Sequence, residues 1–276
     1  MRNESDTTLN KLAATQAGVR PLRDVLKLYA GYLALGLVCL VVSVSAVALR
    51  VLLPRATNRR LGRRLVAYSF RMYLRLLSFM GACRFDLSEL DALRGGPPVI
   101  VAPNHPCLLD ALMILSRLPD AGCIMKAELV NNVFFGVGAR LVGYIRNTPL
   151  RTMVQLSVDD LQSGCHLLLF PEGTRTNRAI VGNMQGTTGL ISKRAGIPVQ
   201  TVFIEAESAF LGKGWSLLWV PRMPITYRVR LGKRFDPPRH TQQFMAELEH
   251  YFAHELVQVS PFYPTGSLPM QPDRKL

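Results

Sequence analysis

The sequence predicts an α/β fold, a largely parallel sheet flanked by helices, preceded by an N-terminal membrane helix and an interfacial helix. Strand-like and helix-like runs alternate after residue 84, which is typical of parallel α/β domains. A run of 22 residues without charge stands nearer the N-terminus, and an arginine-rich stretch follows it. We therefore divide the 276 residues into a polar segment 1–27, an anchor and basic helix 28–83, an α/β domain 84–260 and an irregular tail 261–276.

The composition indicates an anionic partner and a reducing compartment. The chain carries 33 Lys and Arg against 19 Asp and Glu, a net charge of +14, and 49% of its residues are hydrophobic. Such basicity fits nucleic acid, acidic lipid or a phosphorylated substrate. The five cysteines are scattered and include no Cys-x-x-Cys pair, which argues against a disulfide framework and against a zinc site of that type.

The uncharged run from Leu28 to Leu49 predicts a membrane anchor. As a helix it is about 33 Å long, enough for a hydrocarbon core of about 30 Å. Tyr29 and Tyr32 stand at its start, where aromatic side chains favour the interface. A buried helix of a soluble protein and a cleaved signal peptide are the alternatives. The 27 residues before the run are long for the n-region of a signal peptide, and the apolar run exceeds the usual length, which favours the anchor.

The next stretch predicts a helix that lies in an anionic membrane surface. No acidic residue occurs between Val51 and Arg84, and apolar residues recur at spacings of three and four. The stripe consists of Leu61, Leu65, Tyr68, Met72, Leu76 and Phe79, and the nearby arginines are Arg50, Arg55, Arg59, Arg60, Arg63, Arg64, Arg71 and Arg75. Arginines beside a membrane segment, with no nucleic-acid module after them, predict no nucleic-acid partner. Their excess predicts an inner (cytoplasmic) membrane protein with its α/β domain in the cytoplasm.

The alternation beyond residue 84 places candidate sites at strand ends. Strand-like runs are 98–103, 121–126, 143–147, 165–170, 198–205 and 225–231, and helix-like runs are 107–117, 133–142, 151–163, 185–195 and 241–258. Ligands bind such sheets where strands end and helices begin. The segment from Phe210 to Trp219 interrupts the alternation with large apolar residues and glycines, and we interpret it as a loop that touches the membrane.

The stretch from Asn104 to Asp110 is the first candidate site. His105 follows a strand-like run, and the spacing predicts that Asp110 lies about one and a half turns into the next helix. A carboxylate on one ring nitrogen would fix the imidazole tautomer and leave the other nitrogen free to take a proton. The alternatives are a helix-capping asparagine with a buried structural histidine, and a nucleophilic Cys107. The nucleophile is less favoured because only Pro106 separates it from the histidine.

The stretch Phe170-Pro171-Glu172-Gly173-Thr174-Arg175-Thr176 is the second candidate site. Its arginine offers a planar fork for phosphate or carboxylate, its glycine permits close backbone approach, and its threonine offers a hydroxyl. We expect Glu172 to partner backbone amides or a neighbouring cation. The alternative is a strand-end turn that a Glu–Arg pair holds together.

Together the two stretches resemble the H-x4-D and F-P-E-G-T-R-S motifs of the glycerolipid acyltransferases, the lysophosphatidate acyltransferase family. Two weaker matches occur in the right order. Lys126-Ala127-Glu128-Leu129, with Phe134-Phe135-Gly136 after it, resembles the family's K-x-E-L…P-F-F-G segment, and Ala195-Gly196-Ile197-Pro198-Val199 resembles its A-x-I-P-V strand. The resemblance covers roughly residues 98 to 232.

The resemblance implies a catalytic His105 and Asp110, and direct attack of an acceptor on acyl-CoA or acyl carrier protein. It assigns acceptor binding to Glu172, Gly173, Thr174 and Arg175, and to Arg146. We add Lys126 as an acceptor-binding candidate because it also follows a strand-like run, and strand ends can meet at one edge of a parallel sheet. Ile145 stands where the family has an aspartate, so a lysolipid other than lysophosphatidate stays open as the acceptor. The mechanism requires no metal and no cofactor. His250 and His254 have a spacing that could hold a metal, but a solvated helix face explains them better.

The sequence therefore predicts a membrane-bound O-acyltransferase of phospholipid synthesis. It would transfer a fatty acyl group from acyl-CoA or acyl carrier protein to the hydroxyl of a lysolipid, first of all 1-acyl-glycerol-3-phosphate. One alternative is an acyltransferase for another lysolipid, a lyso-aminolipid or lysophospholipid. Another is a non-catalytic lipid-binding protein on the same fold.

Overall fold

The computed structural model describes residues 21–52, 55–131, 136–176 and 182–259. Two long helices come first: α1 (Leu22–Leu52) and α2 (Arg55–Phe79). The helices that follow are α3 (Asp110–Arg117), α4 (Ala127–Asn131), α5 (Gly136–Leu141), α6 (Leu150–Gln162), α7 (Thr187–Ala195) and α8 (Thr241–Val259), and a 3₁₀ turn covers Ser88–Leu93. The predicted polar segment and tail lie largely outside the described residues.

A single sheet forms the centre of the described α/β domain. Its strands are β1 (Cys83–Asp86), β2 (Ile100–Pro103), β3 (Ala121–Met125), β4 (Ile145–Arg146), β5 (His166–Leu168), β6 (Val199–Ala206) and β7 (Ile225–Phe235), in the order β1-β7-β6-β2-β5-β3-β4. The five strands β2 to β6 are parallel to one another. β7 is antiparallel to β6, and β1 is parallel to β7.

The structure confirms the predicted largely parallel sheet flanked by helices. All six strand-like runs contain strands, because their apolar residues are buried between helices on both faces. The sequence analysis missed β1, whose four residues include an exposed arginine and an exposed aspartate. The predicted helix 133–142 appears as α5, and its first residues lie outside the described part of the chain.

The two N-terminal helices run antiparallel and pack on the α/β domain. Lys27 Nζ, near the start of α1, donates to the Gly81 carbonyl just after α2 at 3.1 Å. Further along, Val42 of α1 meets Val66 of α2 and Val142 of the domain in one apolar cluster. The window Leu22–Ser45 is long and apolar enough to cross a membrane, with a mean hydropathy of 2.1, a property it shares with signal sequences and core helices.

The apolar stripe of α2 faces away from the domain. Its exposed members are Leu61, Tyr68, Met72, Leu76 and Phe79, whereas the residues that pack inward are Val66, Ala67, Tyr73, Leu74 and Leu77. The helix is thus apolar on two sides, one buried against protein and one open. The open side is the surface that an interfacial helix would present to lipid.

Three of the arginines in this stretch bind the domain instead of facing outward. Arg59 and Arg63 both pair with the buried Asp160 of α6, at 2.5 and 2.6 Å, and Arg63 Nε also donates to the Val142 carbonyl at 3.0 Å. Arg71 donates two hydrogen bonds to the Ser116 carbonyl. The interpretation of the whole arginine set as membrane contacts is therefore wrong for these three, because their partners are protein atoms.

Candidate active site

Both candidate motifs follow strands at the centre of the sheet. β2 and β5 are parallel neighbours, with Ile100 opposite Leu167 and Val101 opposite Leu168. The turns after these strands therefore lie side by side at the carboxyl edge. That edge is where open α/β sheets bind ligands.

His105 and Asp110 are in direct contact. His105 Nδ1 lies 2.8 Å from Asp110 Oδ2, the carboxylate is 0% exposed, and the imidazole is 17% exposed. A proton on Nδ1 would be held by the carboxylate, so Nε2 would be the basic nitrogen. The predicted position of Asp110 was wrong: it is the first residue of α3, and the intervening residues form the turn that brings it back to the imidazole.

Cys107 supplies two further hydrogen bonds to the same carboxylate. Its backbone N–H donates to Asp110 Oδ2 at 2.8 Å, and its Sγ donates to Oδ1 at 2.9 Å. The thiol is buried, and its pKa is raised well above the ordinary value by that burial and by the charge of Asp110. A thiol that stays protonated is a poor nucleophile. The structure therefore favours Cys107 as a donor that orients the carboxylate.

Asn104 holds the start of the candidate catalytic turn, residues 104–110, against β6. Its Nδ2 donates to the Ile204 carbonyl at 3.0 Å, and its Oδ1 accepts from the Ile204 N–H at 2.7 Å. The alternative of a helix-capping asparagine is thus wrong, since both amide atoms bind a strand 100 residues away in sequence. This pair of bonds fixes the backbone directly before His105.

Glu172 joins the two motif turns. Its Oε1 accepts from the His105 N–H at 3.3 Å and from the Thr176 hydroxyl at 2.7 Å, while Oε2 accepts from the Gly182 N–H at 2.9 Å. The Thr176 N–H in turn donates to the His105 carbonyl at 2.7 Å. Burial raises the pKa of Glu172, and the hydrogen bonds oppose that shift. The geometry makes Glu172 a link between turns, in contact with backbone amides as the sequence suggested.

Phe170 and Gly173 shape the second turn around the histidine. The Phe170 ring stacks on the His105 imidazole, with centroids 3.9 Å apart and an interplanar angle of 21°. Gly173 has φ +64°, a left-handed conformation that other residues adopt only with strain, and a β-carbon there would displace the Gln185 side-chain amide. Thr174 is exposed at the same turn.

Arg175 contacts a long loop that the motif analysis did not connect with it. Its Nη1 donates to the carbonyls of Leu211 and Gly212 at 2.9 and 3.0 Å. The alternative of a turn closed by a Glu172–Arg175 pair is wrong, because each of the two side chains binds other partners.

Lys126 and Arg146 stand at the carboxyl ends of β3 and β4, and both are exposed. At about 4.8 Å per strand, these ends lie about 10 and 14 Å from β2 across the sheet. Asn147 ties them together, because its Oδ1 accepts from the Ala127 N–H at 3.0 Å and its N–H donates to Met125 at 2.9 Å. The sequence analysis missed Asn147, and a polar residue directly after a strand was the available signal.

Comparisons with known proteins point to one family. The family model described as Acyltransferase matches residues 84–205. The 1-acyl-sn-glycerol-3-phosphate acyltransferase of Pseudomonas aeruginosa is 23% identical over 209 residues, which cover 72% of this chain and 79% of that protein. The 1-acyl-sn-glycerol-3-phosphate acyltransferase beta of Homo sapiens is 23% identical over 188 residues, which cover 65% and 66%.

A solved structure shares the fold. The crystal structure of the 1-acyl-sn-glycerophosphate acyltransferase from Thermotoga maritima superposes with a TM-score of 0.64 at 16% identity, over 86% of this chain and 96% of that one. The coverage includes most of the described residues. The similarity at this identity concerns the fold.

Proposed function

The chain belongs to the glycerolipid (lysophosphatidate) acyltransferase family, and we propose that it acylates the free hydroxyl of a membrane lysolipid, with 1-acyl-glycerol-3-phosphate as the first candidate. The observation that carries the proposal is the contact between His105 Nδ1 and the buried Asp110 carboxylate at the carboxyl edge of the sheet. The chain is an acyltransferase, and this contact supplies the base that acyl transfer to an alcohol needs.

The reaction follows from the tautomer that Asp110 selects. His105 Nε2 takes the hydroxyl proton of the acceptor as its oxygen attacks the thioester carbonyl of acyl-CoA or acyl carrier protein. The imidazolium, stabilised by the carboxylate, then returns the proton to the leaving thiolate as the C–S bond breaks. One C–O bond forms, one C–S bond breaks, and the enzyme ends in its starting state.

The cations at the same edge support an anionic acceptor. Lys126 and Arg146 are exposed at the ends of β3 and β4, and Arg175 follows β5, the strand between β2 and β3, although its side chain binds the loop after β6. Such a set suits a phosphate near the reactive hydroxyl. Ile145, which stands where the family has an aspartate, is buried and adds no charge. That difference keeps another lysolipid with a less charged headgroup as the second candidate.

Removing either exposed cation should weaken acceptor binding. We expect Lys126→Gln and Arg146→Gln to raise the KM for lysophosphatidate by roughly tenfold each, as the loss of one charge-assisted hydrogen bond predicts. The KM for the acyl donor should change less. Arg151→Gln, an exposed arginine on α6, is the matched control. Steady-state assays with purified protein measure both KM values in each variant. Equal activity on lysophosphatidate and on uncharged monoacylglycerol would contradict the assignment.

Cys107 should prove dispensable as a nucleophile. Cys107→Ser keeps a donor for Asp110 and should retain most of the acyl transfer activity. Cys107→Ala removes one hydrogen bond and should lower the activity by at most roughly tenfold. If Cys107 were the nucleophile, both changes would abolish acyl transfer activity. Complete loss in both variants, with unchanged unfolding temperatures, would contradict the orienting role.

The helices α1 and α2 hold the enzyme on the membrane in this proposal. From Leu28 to Val42, about 21 Å of helix, α1 packs against α2 or the domain. A perpendicular crossing would carry those protein contacts into the hydrocarbon. The proposal therefore places the pair as a hairpin in one leaflet of the inner membrane, with the domain on the cytoplasmic side, where exposed arginines such as Arg64 and Arg75 meet anionic headgroups.

Extraction from membranes tests this attachment. The full chain should remain in the membrane fraction at high salt and enter solution only with detergent, since apolar burial is not screened by salt. Fractionation followed by immunoblotting measures it. Release of the full chain by salt alone would show that charge, and not the apolar hairpin, holds the protein.

A further inference from the structure

The connection between β6 and β7, residues 207–224, is unusually long for a loop within a compact domain. We call it the docking loop. Glu207 closes its base, because its N–H donates to the Thr226 carbonyl and its Oε2 accepts from the Thr226 N–H. The loop therefore leaves the carboxyl end of β6, directly beside the strand that precedes His105.

The far end of the docking loop presents three consecutive apolar side chains to the outside. Leu217, Leu218 and Trp219 are 58%, 72% and 45% exposed. Adjacent large apolar residues at such exposure mark an interaction surface more often than single ones do. Tryptophan is the side chain that favours the boundary between water and lipid.

The charge of the docking loop selects among possible partners. No acidic residue occurs from Ser208 to Phe235, while Lys213 and Arg222, on either side of the apolar tip, are exposed. An apolar tip between cations is suited to an anionic lipid surface, into which the tip inserts while the cations meet headgroups. The open apolar sides of α1 and α2 belong to the same chain, so a lipid surface is already its environment in the proposed function.

The base of the docking loop is bonded to both motif turns. The Leu211 carbonyl accepts from the Leu108 N–H of the catalytic turn at 3.1 Å and from Arg175 Nη1 at 2.9 Å. Leu211 holds φ +58°, a conformation rare for a branched side chain, and is buried. The backbone is thus kept in a costly conformation where it meets the two motifs, which ties the position of the loop to that of His105.

A series of aromatic rings connects the base to the tip. Phe210, next to Leu211, packs edge to face on Trp215 with centroids 5.7 Å apart, and Trp215 packs likewise on Trp219 at 5.8 Å. Edge-to-face contacts restrict the relative orientation of the rings. The tip is therefore held in a defined place relative to the active site.

From these observations we infer that the docking loop is a second lipid-binding element, whose Leu217–Trp219 tip inserts into an anionic bilayer and sets the catalytic turn at the membrane surface. The inference rests on the proposed function in that the acceptor is a lipid. It assigns Arg175 a positioning role at the loop base, alongside any contact with the acceptor.

The two tryptophans of the chain both lie in this loop, which permits a direct test. Full-length Trp215→Phe and Trp219→Phe each keep one fluorophore, and each is reconstituted in vesicles of phosphatidylglycerol and phosphatidylcholine with brominated acyl chains. Trp219 should be quenched by a larger factor than Trp215, which is half-buried in protein. Unquenched Trp219 in vesicle-bound protein would overturn the inference and would indicate that the tip binds a protein partner instead. The measurement needs no turnover, so it stands even if the proposed reaction fails.

An activity assay tests the link to catalysis. The double change Leu217→Ser with Leu218→Ser should lower acylation of long-chain lysophosphatidate in vesicles by at least roughly tenfold, because the lost burial of two leucines exceeds the free energy of a tenfold change. It should leave acylation of a short-chain acceptor dissolved as monomers nearly unchanged. Leu156→Ser, an exposed leucine on α6, is the control. Equal loss on both acceptors would show that the loop only supports the fold of the turn, and would overturn the docking role.

Discussion

Replacing His105 by alanine should lower acyl transfer by roughly 10²–10⁴-fold while the protein remains folded. The change removes the proposed base, and the turn keeps the backbone bonds of His105 to Glu172 and Thr176, although the Phe170 ring loses the imidazole that stacks on it. The measurement is turnover of lysophosphatidate by purified protein, accompanied by an unfolding temperature. His250→Ala, an exposed histidine on α8, is the control. Near-normal turnover by folded His105→Ala protein would show that His105 is not the general base.

Asp110→Asn should reduce turnover to a similar degree for a different reason. The new amide oxygen can occupy the place of Oδ2, and the amide nitrogen can face the Cys107 sulfur, so the turn should persist. The negative charge that stabilises the imidazolium is lost, and a wrong tautomer of the histidine becomes possible. A variant that retained full activity with unchanged stability would mean that the carboxylate only shapes the turn.

Asp160→Ala should destabilise the protein by about 3–5 kcal/mol, because removal of one partner leaves buried charge without compensation. Asp160 receives both Arg59 and Arg63, and Arg63 is itself buried. The change should therefore lower the unfolding midpoint in detergent and loosen α2 from the domain, which limited proteolysis would detect. Asp159→Ala, the exposed neighbour on α6, should have little effect.

The double variant Asp160→Ala with Arg63→Met measures how much of this effect comes from the direct interaction between the two charges. If the two charges interact directly, the double change should cost less than the sum of the single changes. Additive effects, or an unchanged midpoint in Asp160→Ala alone, would show that the pair does not hold α2 in place.

The sequence was sufficient for the sheet and for the two motif turns. Long apolar runs bounded by turn residues become strands wherever both faces are covered, so the central strands were predictable. β1 was not, since a four-residue edge strand such as Cys83–Asp86 has no distinctive pattern. Its partner strand, β7, lies more than 140 residues further along the chain.

The sequence was insufficient for contacts between distant segments. The periodicity of α2 showed an apolar stripe but not which side would pack inward, and it could not separate Arg63, which binds Asp160, from Arg64, which is exposed. The same limit applies to Arg175, whose partners Leu211 and Gly212 lie in a loop without a motif. Such pairings depend on the three-dimensional path of the chain, which spacing along one element does not encode.

The bridge that Glu172 makes between the motif turns bears on attempts to exchange specificity between relatives. A chimaera that imported only the turn after β5 would have to reproduce the hydrogen bonds to His105, Thr176 and Gly182 with foreign backbone geometry. An imperfect graft would move the imidazole as well as the side chains proposed to bind the acceptor, and the resulting loss of activity would be mistaken for a loss of acceptor recognition. The transplantable module is therefore the pair of turns with the segment at Gly182, moved together.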